Sequence, residues 1–295
     1  MNVAETPVSP APDVAPPLGA PIQGPTALGS DWRRLLHLTW TLAVTDFKLK
    51  FFGSVLGYVW QLMRPLLLFS VLYFVFTQFF DVTGDLPDYP VALLMGIVLF
   101  QFFAEATTGA VRSVIYREPL IRKVDFPRLA IPLSTVLTAV FNLGLNLVPV
   151  FVFMGLAGVT PRLTWLELPL ILAMLITFAL GIAMLLSALF VRYRDVEPIW
   201  DVILQALFYA TPILYSIQIV IDKAGLDTAR ALMVSPFAAA VQQARHVLIS
   251  PEYLSSSQVF SSQLGTAAPV AITAGTLLVG WLVFRRAAPH LAEEL

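Results

Sequence analysis

Apolar residues gather along this chain into six long runs, and nearly all the charge falls in the connections between them. The runs extend from Pro65 to Phe80, Tyr89 to Ala110, Ala130 to Gly158, Trp165 to Val191, Pro198 to Ile221 and Ala267 to Phe284. About 20 apolar residues carry an α-helix across a hydrocarbon layer of roughly 30 Å, inside which backbone N–H and C=O groups must bond within their own segment. The first run reaches that length only if it begins near Tyr58. The pattern predicts an all-α integral membrane protein with six transmembrane helices.

Two further segments follow other rhythms. Trp32, Leu36, Trp40, Ala43, Phe47 and Phe51 recur every three or four residues, with Arg33, Arg34, His37, Lys48 and Lys50 mostly elsewhere around the helix. That spacing predicts an N-terminal amphipathic helix lying in the inner membrane interface. The connection from Asp222 to Thr266 is the longest and mixes apolar and polar residues around Leu232 to Ile249. It is too polar to span and too apolar for a solvated loop, which predicts short re-entrant outer helices between transmembrane helices 5 and 6. Residues 1–30 hold seven prolines and only two charges, Glu5 and Asp13, so a disordered cytoplasmic tail is expected there. The organisation read from the chain is therefore a tail (1–30), an interfacial helix (31–57), a six-helix membrane domain (58–286) and a short cytoplasmic C-terminal tail (287–295).

Composition strengthens this picture. Hydrophobic residues make up 58% and charged residues 13%, against about 45–50% and about 25% in a soluble domain. The 18 Lys and Arg nearly balance 19 Asp and Glu, so nothing draws the chain to nucleic acid. The absence of cysteine excludes disulfides, thiolate metal sites and cysteine nucleophiles. His37, His246 and His290 lie far apart without ligand spacing, so no metal site is assigned. Fourteen of the 18 basic residues fall in connections on the side of the N-terminus, and four (Arg162, Lys223, Arg230, Arg245) on the other. Cytoplasmic loops retain Lys and Arg, which predicts a multi-pass protein with both termini cytoplasmic. Trp60 and Trp200 fall near inner ends, Tyr89 and Trp165 near outer ones, as interfacial anchors do.

Candidate chemistry begins with absences. No G-x-x-x-x-G-K-[ST] occurs, nor any Gly-Lys pair, so the backbone cradle for nucleotide phosphates is missing. H-E-x-x-H, G-x-S-x-G and a pair of buried carboxylates are missing too. The chain is not expected to hydrolyse ATP alone, and no catalytic, cofactor or metal residue is assigned.

Other positions carry two readings each. The basic stretch Arg112 to Arg128 either fixes topology or docks a cytoplasmic partner, and the apolar Val114, Ile115, Leu120, Ile121 and Phe126 favour docking. Around Arg192-Tyr193-Arg194-Asp195 the chain turns into the fifth run. Asp195 is placed to cap that helix and Pro198 to occupy its first turn, while Arg194 and Asp195 are also candidates for signalling between partner and path. Glu105 is the one carboxylate well inside a run, either an interfacial structural group or a functional ionisable one. Aromatic rings at Phe69, Tyr73, Phe76, Phe208, Tyr209 and Tyr215 either pack and face lipid or line a path on which sugar rings stack. The loop with Asp81, Asp85 and Asp88 reads as solvated, or alternatively as a divalent-ion site.

The order of several motifs resembles the transmembrane subunits of ABC-2 type polysaccharide exporters, the group that includes O-antigen, teichoic acid and mycobacterial galactan permeases. The resemblance covers about residues 32–295. It rests on Asp46-Phe-Lys-Leu-Lys-Phe-Phe-Gly-Ser-Val-Leu-Gly-Tyr-Val-Trp60 with Pro65, on Phe126-Pro-Arg128, Tyr193-Arg-Asp195 and Thr211-Pro-Ile-Leu-Tyr215, and on Arg285-Arg286 with a Glu-Glu-Leu ending. Ser235-Pro236 stands where such permeases usually carry Asn-Pro. The resemblance implies a homodimer in the bacterial inner membrane, bound to two copies of a nucleotide-binding subunit that holds ATP and Mg2+. It implies docking of that subunit on Trp32, Arg33 and Arg34 and on Arg117, Glu118, Leu120, Ile121, Arg122, Lys123, Phe126 and Arg128. It further implies an outer gate at Ser235, Pro236 and Phe237, and a lipid-linked polysaccharide as the substrate among the membrane lipids. The alternatives are an ABC-2 permease for a small lipophilic drug or lipid, and a membrane enzyme acting on polyprenyl-linked sugars through Asp85 or Asp88.

Overall fold

The computed structural model describes residues 32–51, 55–79, 88–123, 126–260 and 262–290. The proline-rich segment, Asp81 and Asp85, and the Glu-Glu-Leu ending lie outside the described residues. Among the described residues twelve α-helices follow in order: α1 (Trp32–Phe51), α2 (Val55–Gln78), α3 (Tyr89–Tyr116), α4 (Glu118–Lys123), α5 (Ala130–Leu156), α6 (Leu168–Arg192), α7 (Val196–Ala210), α8 (Ile217–Ala224), α9 (Leu226–Met233), α10 (Pro236–Leu248), α11 (Ser256–Phe260) and α12 (Gln263–Ala287). A 3-10 turn, Leu163–Glu167, leads into α6. No strand occurs among the described residues.

Five helical stretches among the described residues are long and apolar enough to cross a membrane: Val59–Gln78, Tyr89–Tyr116, Ala130–Leu156, Leu163–Arg192 and Gly265–Ala287. The expected fifth run from Pro198 to Ile221 does not form one such helix. α7 ends after 15 residues, about 22 Å of rise against a layer of roughly 30 Å. The break has a local cause. Pro212 has no N–H to continue the ladder and drives Thr211 out of helical backbone, to φ −81° and ψ 143°. The chain then runs irregularly to Ser216, whose Oγ accepts from the Gln218 N–H at 3.1 Å and starts α8.

α3 is the axis of the bundle. Val91 to Leu99 are buried on every side, as suits a helix that is apolar all round. α5, α6, α2, α7 and α10 pack around it, while α12 covers α6 and α1 covers α5. Helices in lipid gain little by hiding apolar surface, so close approach depends on small residues. Gly181 of α6 and Gly280 of α12 supply it. A Cβ on Gly181 would come within 2.7 Å of the Leu277 backbone nitrogen, and one on Gly280 would strike the Gly181 carbonyl oxygen. The outer surfaces of α2 and α12 keep apolar residues exposed, among them Val71, Phe74, Val270 and Leu278.

α1 rests on α5 through its smaller residues. Leu35, Thr39 and Ala43 form the stripe buried beneath α1, whereas Trp32, Leu36 and Trp40 of the expected stripe are exposed. The helix is apolar on two faces, and α5 takes the one with the smaller side chains. Thr39 tolerates burial because its hydroxyl donates to the Leu35 carbonyl at 2.8 Å. Trp40 and Phe47 meet Phe141 edge-on at centroid distances of 5.5 and 5.6 Å.

Candidate functional site

Three polar clusters hold the bundle together, two near the inner end predicted from charge and one at the opposite end. The first joins α1, α3 and α5. Lys50 Nζ and Asn142 Nδ2 both donate to Glu105 Oε1 at 2.6 Å. Glu105, the carboxylate inside the second run, thus receives a cation and an amide from two other helices. One turn earlier on α1, Asp46 pairs with Arg117 at the end of α3.

Between α3 and α5 the basic stretch folds into α4 and an anchored turn. Ile121 and Phe126 are buried with Leu35, Val114, Met184 and Phe284, and Leu120 is half-buried against them. Arg128 is 2% exposed and donates to the Ala288 carbonyl just past α12, where a cation also meets the negative end of that helix. Arg122 and Lys123 lie on α4, and their side chains are outside the described residues. Arg33 and Arg34 sit on the exposed side of α1 beside Trp32, which is 67% exposed. Ile121, Phe126 and Arg128 therefore lie inside the bundle, while Trp32, Arg33 and Arg34 of α1 and Pro119 of α4 face outward.

The second cluster pins α7. Arg112 Nε donates to Glu197 Oε2 at 2.7 Å, and Trp200 Nε1 donates to Thr107 Oγ1 at 3.0 Å, so both bonds bind the start of α7 to α3. Asp195 occupies the N-cap position with helical backbone and makes no side-chain cap bond, unlike the expectation from its position. The Arg194 guanidinium lies 5.4 Å from the Phe190 ring centroid.

The candidate path aromatics separate. Phe208 meets Phe100 at 4.9 Å, Phe100 meets Phe237 at 5.7 Å, and Phe237 meets Phe103 at 5.3 Å. These rings form a column inside one subunit. Phe69 is buried, stacked on Tyr73 and edge-on to Phe153. Phe76 is half-buried, and Tyr215 donates its hydroxyl to the Ala210 carbonyl at 2.8 Å. Of the six, Tyr209 is the most open, at 67% exposure. Ser235 stands before α10 without a side-chain cap bond, Pro236 opens that helix, and Phe237 joins the column.

The third cluster centres on Arg245, which the charge pattern marks only as an outer cation. It is 2% exposed. Nη2 donates to the Ile213 carbonyl and Nη1 to the Pro212 carbonyl, each at 2.6 Å. Nη1 also reaches the Tyr215 carbonyl, and Nε and Nη2 the Ala92 carbonyl of α3, all at 3.3 Å. The acceptors on α8's approach are carbonyls that the break after α7 takes out of helical hydrogen bonding. Planar guanidinium donors match several such oxygens at once. Tyr89 adds a bond from its hydroxyl to the Leu214 carbonyl at 2.8 Å. In the loop after α10, burial pushes the Tyr253 phenol up to about 12, and its carbonyl faces His246 Nδ1 at 2.6 Å. A signal for Arg245 existed in the sequence. Phe237, Val241, Arg245 and Leu248 fall on one helical stripe, so the arginine lies on an otherwise apolar face, where a charge must be paired.

A bundle whose described residues are helical, with five helices long and apolar enough to cross a membrane and polar clasps between helices, defines a multi-pass membrane protein. Residues 37–249 match the ABC-2 type transporter family, and the chain belongs to that family. It is similar to an O-antigen export system permease protein RfbA of Klebsiella pneumoniae, 33% identical over 190 residues, which cover 64% of this chain and 73% of the relative. A second Klebsiella pneumoniae protein of that description is 32% identical over the same shares. One from Myxococcus xanthus is 29% identical over 196 residues, 66% of this chain and 73% of the relative.

Proposed function

We propose that this chain is the membrane subunit of an ABC exporter that moves a lipid-linked polysaccharide, of the O-antigen kind, across the bacterial inner membrane. The observation that carries this reading is the 33% identity, over 190 residues, with a permease described as part of O-antigen export. Both termini face the cytoplasm, a placement supported by the fourteen basic residues on that side. α7, the break at Pro212 and α8 together make the sixth crossing, the two broken ends being satisfied by protein rather than lipid.

Two copies of the chain pair through α2 and α7, whose apolar residues Val71, Phe74, Val202 and Tyr209 are exposed in one subunit. Between them runs the glycan path, with Tyr73 and Tyr209 offering ring faces and the Phe208, Phe100 and Phe237 column supporting the wall from behind. A separate ATPase, one per subunit, binds ATP and Mg2+ and docks on the start of α1 and on α4. Its movement reaches α7 through Arg112 and Glu197. At the far end α7 pulls on the Pro212 and Ile213 carbonyls, and through Arg245 on α10, so that Ser235, Pro236 and Phe237 shift as an outer gate.

The test is purification of the tagged chain from its native host in mild detergent, with and without Arg33 and Arg34 changed to Glu, followed by ATP-driven uptake of lipid-linked polysaccharide into inverted vesicles. A stoichiometric ABC ATPase that is lost in the double variant, together with uptake by the wild type, is expected. ATPase stimulation by a small lipophilic compound and not by the glycan would favour a drug or lipid permease. Recovery without any ATPase, with the chain alone altering a sugar-lipid, would overturn the reading.

A further inference from the structure

Gly181 and Gly280 bring α6 and α12 backbone to backbone, and between that crossing and the Glu167 end of α6 the two helices enclose a groove of about 560 Å³. α10 floors it with Ala239 and Gln243. Its walls are apolar by construction. Met174, Val270 and Ala274 line it, and its three threonines, Thr177, Thr266 and Thr273, turn their hydroxyls back to backbone carbonyls one turn earlier. Thr177 donates to the Ala173 carbonyl at 2.7 Å, Thr273 to the Pro269 carbonyl at 2.8 Å and Thr266 to the Ser262 carbonyl at 3.4 Å. Leu170 and Val270 at the rim are exposed on spanning helices, so the opening faces hydrocarbon.

The dimensions and the charge of the groove select an occupant. From Glu167 to Thr177 the wall of α6 descends ten residues, about 15 Å, which is half of a hydrocarbon layer of roughly 30 Å and hence the depth of one leaflet. At the mouth stands the exposed Glu167 carboxylate, which accepts from Gln243 Nε2 at a long 3.4 Å. Below the mouth no charged side chain among the described residues lines the groove. A ligand with a long apolar chain and a cationic head fits both ends, and an anionic head meets repulsion.

We propose that the groove is a lipid site, which seats one acyl chain of an aminophospholipid and holds the ammonium of its phosphatidylethanolamine head on Glu167. The site belongs to the lateral face of α6 and α12, away from α2 and α7, and does not depend on what the protein exports.

Native mass spectrometry of the detergent-purified chain, equilibrated with equal phosphatidylethanolamine and phosphatidylglycerol, reads the proposal directly. The wild type should retain one phosphatidylethanolamine in about fivefold preference, the scale of one partly exposed ion pair. Glu167→Gln should remove the preference while lipid still binds. Ala274→Phe, or the milder Ala173→Leu should the first not fold, should fill the groove and abolish retention of both. Equal retention of both lipids by wild type, or unchanged retention in a folded groove-filling variant, overturns it. So does a dimer that the groove-filling variant dissociates, since the occupant would then be a second copy of the chain. Export activity is not read in any arm, so failure here leaves the exporter reading standing.

Discussion

Arg245 Nη2 lies 2.6 Å from the main-chain carbonyl of Ile213, across a separation of 32 residues that joins the buried face of α10 to the break after α7. The Pro212 and Ile213 carbonyls lie in the irregular stretch between α7 and α8, and the guanidinium collects them. Each half of the arrangement would be costly alone: an unpaired buried cation on α10, and orphaned carbonyls beside α3.

Arg245→Met should therefore destabilise the protein by about 2–4 kcal/mol, the scale of leaving several buried acceptors unmatched. Arg245→Lys should recover part of that, since an ammonium supplies fewer directed donors. Thermal unfolding in detergent, followed by helix signal, orders the three proteins. Equal transition temperatures for all three would mean that water replaces the guanidinium without penalty.

Gly181→Leu and Gly280→Leu should each disrupt the α6 and α12 crossing, because the new Cβ meets backbone that cannot rotate aside. Overpacking of this kind costs about 1–3 kcal/mol or more. Gly275→Ala on the same α12, where an added Cβ would find nothing within 4 Å, should be near neutral. Membrane yield and resistance to limited proteolysis separate the two outcomes.

Lys50 and Glu105 are each about a third exposed, so the ion pair alone should contribute little, roughly 0–1 kcal/mol, and lose its effect in high salt. Glu105→Gln keeps an acceptor for the Asn142 amide and should be mild. Glu105→Leu removes the acceptor for both donors and should cost about 1–3 kcal/mol. A double-mutant cycle with Lys50→Met checks the division. Coupling above that range would point to a drier site.

Arg112→Glu should impair transport more than folding, because it places two carboxylates together where α7 meets α3. Adding Glu197→Arg restores opposite charge and should recover activity. Glycan export in cells, normalised to protein in the membrane, gives the measurement. A double variant as inactive as the single would show that the pair does not carry movement into α7.

Much of the architecture was legible in the apolar runs, and the exceptions are instructive. Four of the six expected spans recur within a few residues of their predicted ends, and the first begins earlier, as its shortness required. The fifth is not one continuous helix, because hydropathy continues through Thr211 and Pro212 while the helical backbone does not. On α1 the helical period was legible, but not which residues α5 covers: Leu35, Thr39 and Ala43 are buried while Trp32, Leu36 and Trp40 stay exposed. Arg128 reads in the sequence as part of a basic docking stretch, and burial of its side chain at the end of α12 is something only the fold shows.

By itself the sequence determined that the chain is helical and membrane-embedded, where its long apolar segments lie, and that it carries no phosphate-binding cradle of its own. Those properties follow from each segment's own solvation and backbone bonding, which neighbours in sequence settle. Tertiary structure alone decided which polar groups meet: Lys50 and Glu105 across 55 residues, Arg112 and Glu197 across 85, Arg245 and Ala92 across 153. In a low-dielectric interior a charge must find its partner wherever packing brings one, and no local pattern records that distance.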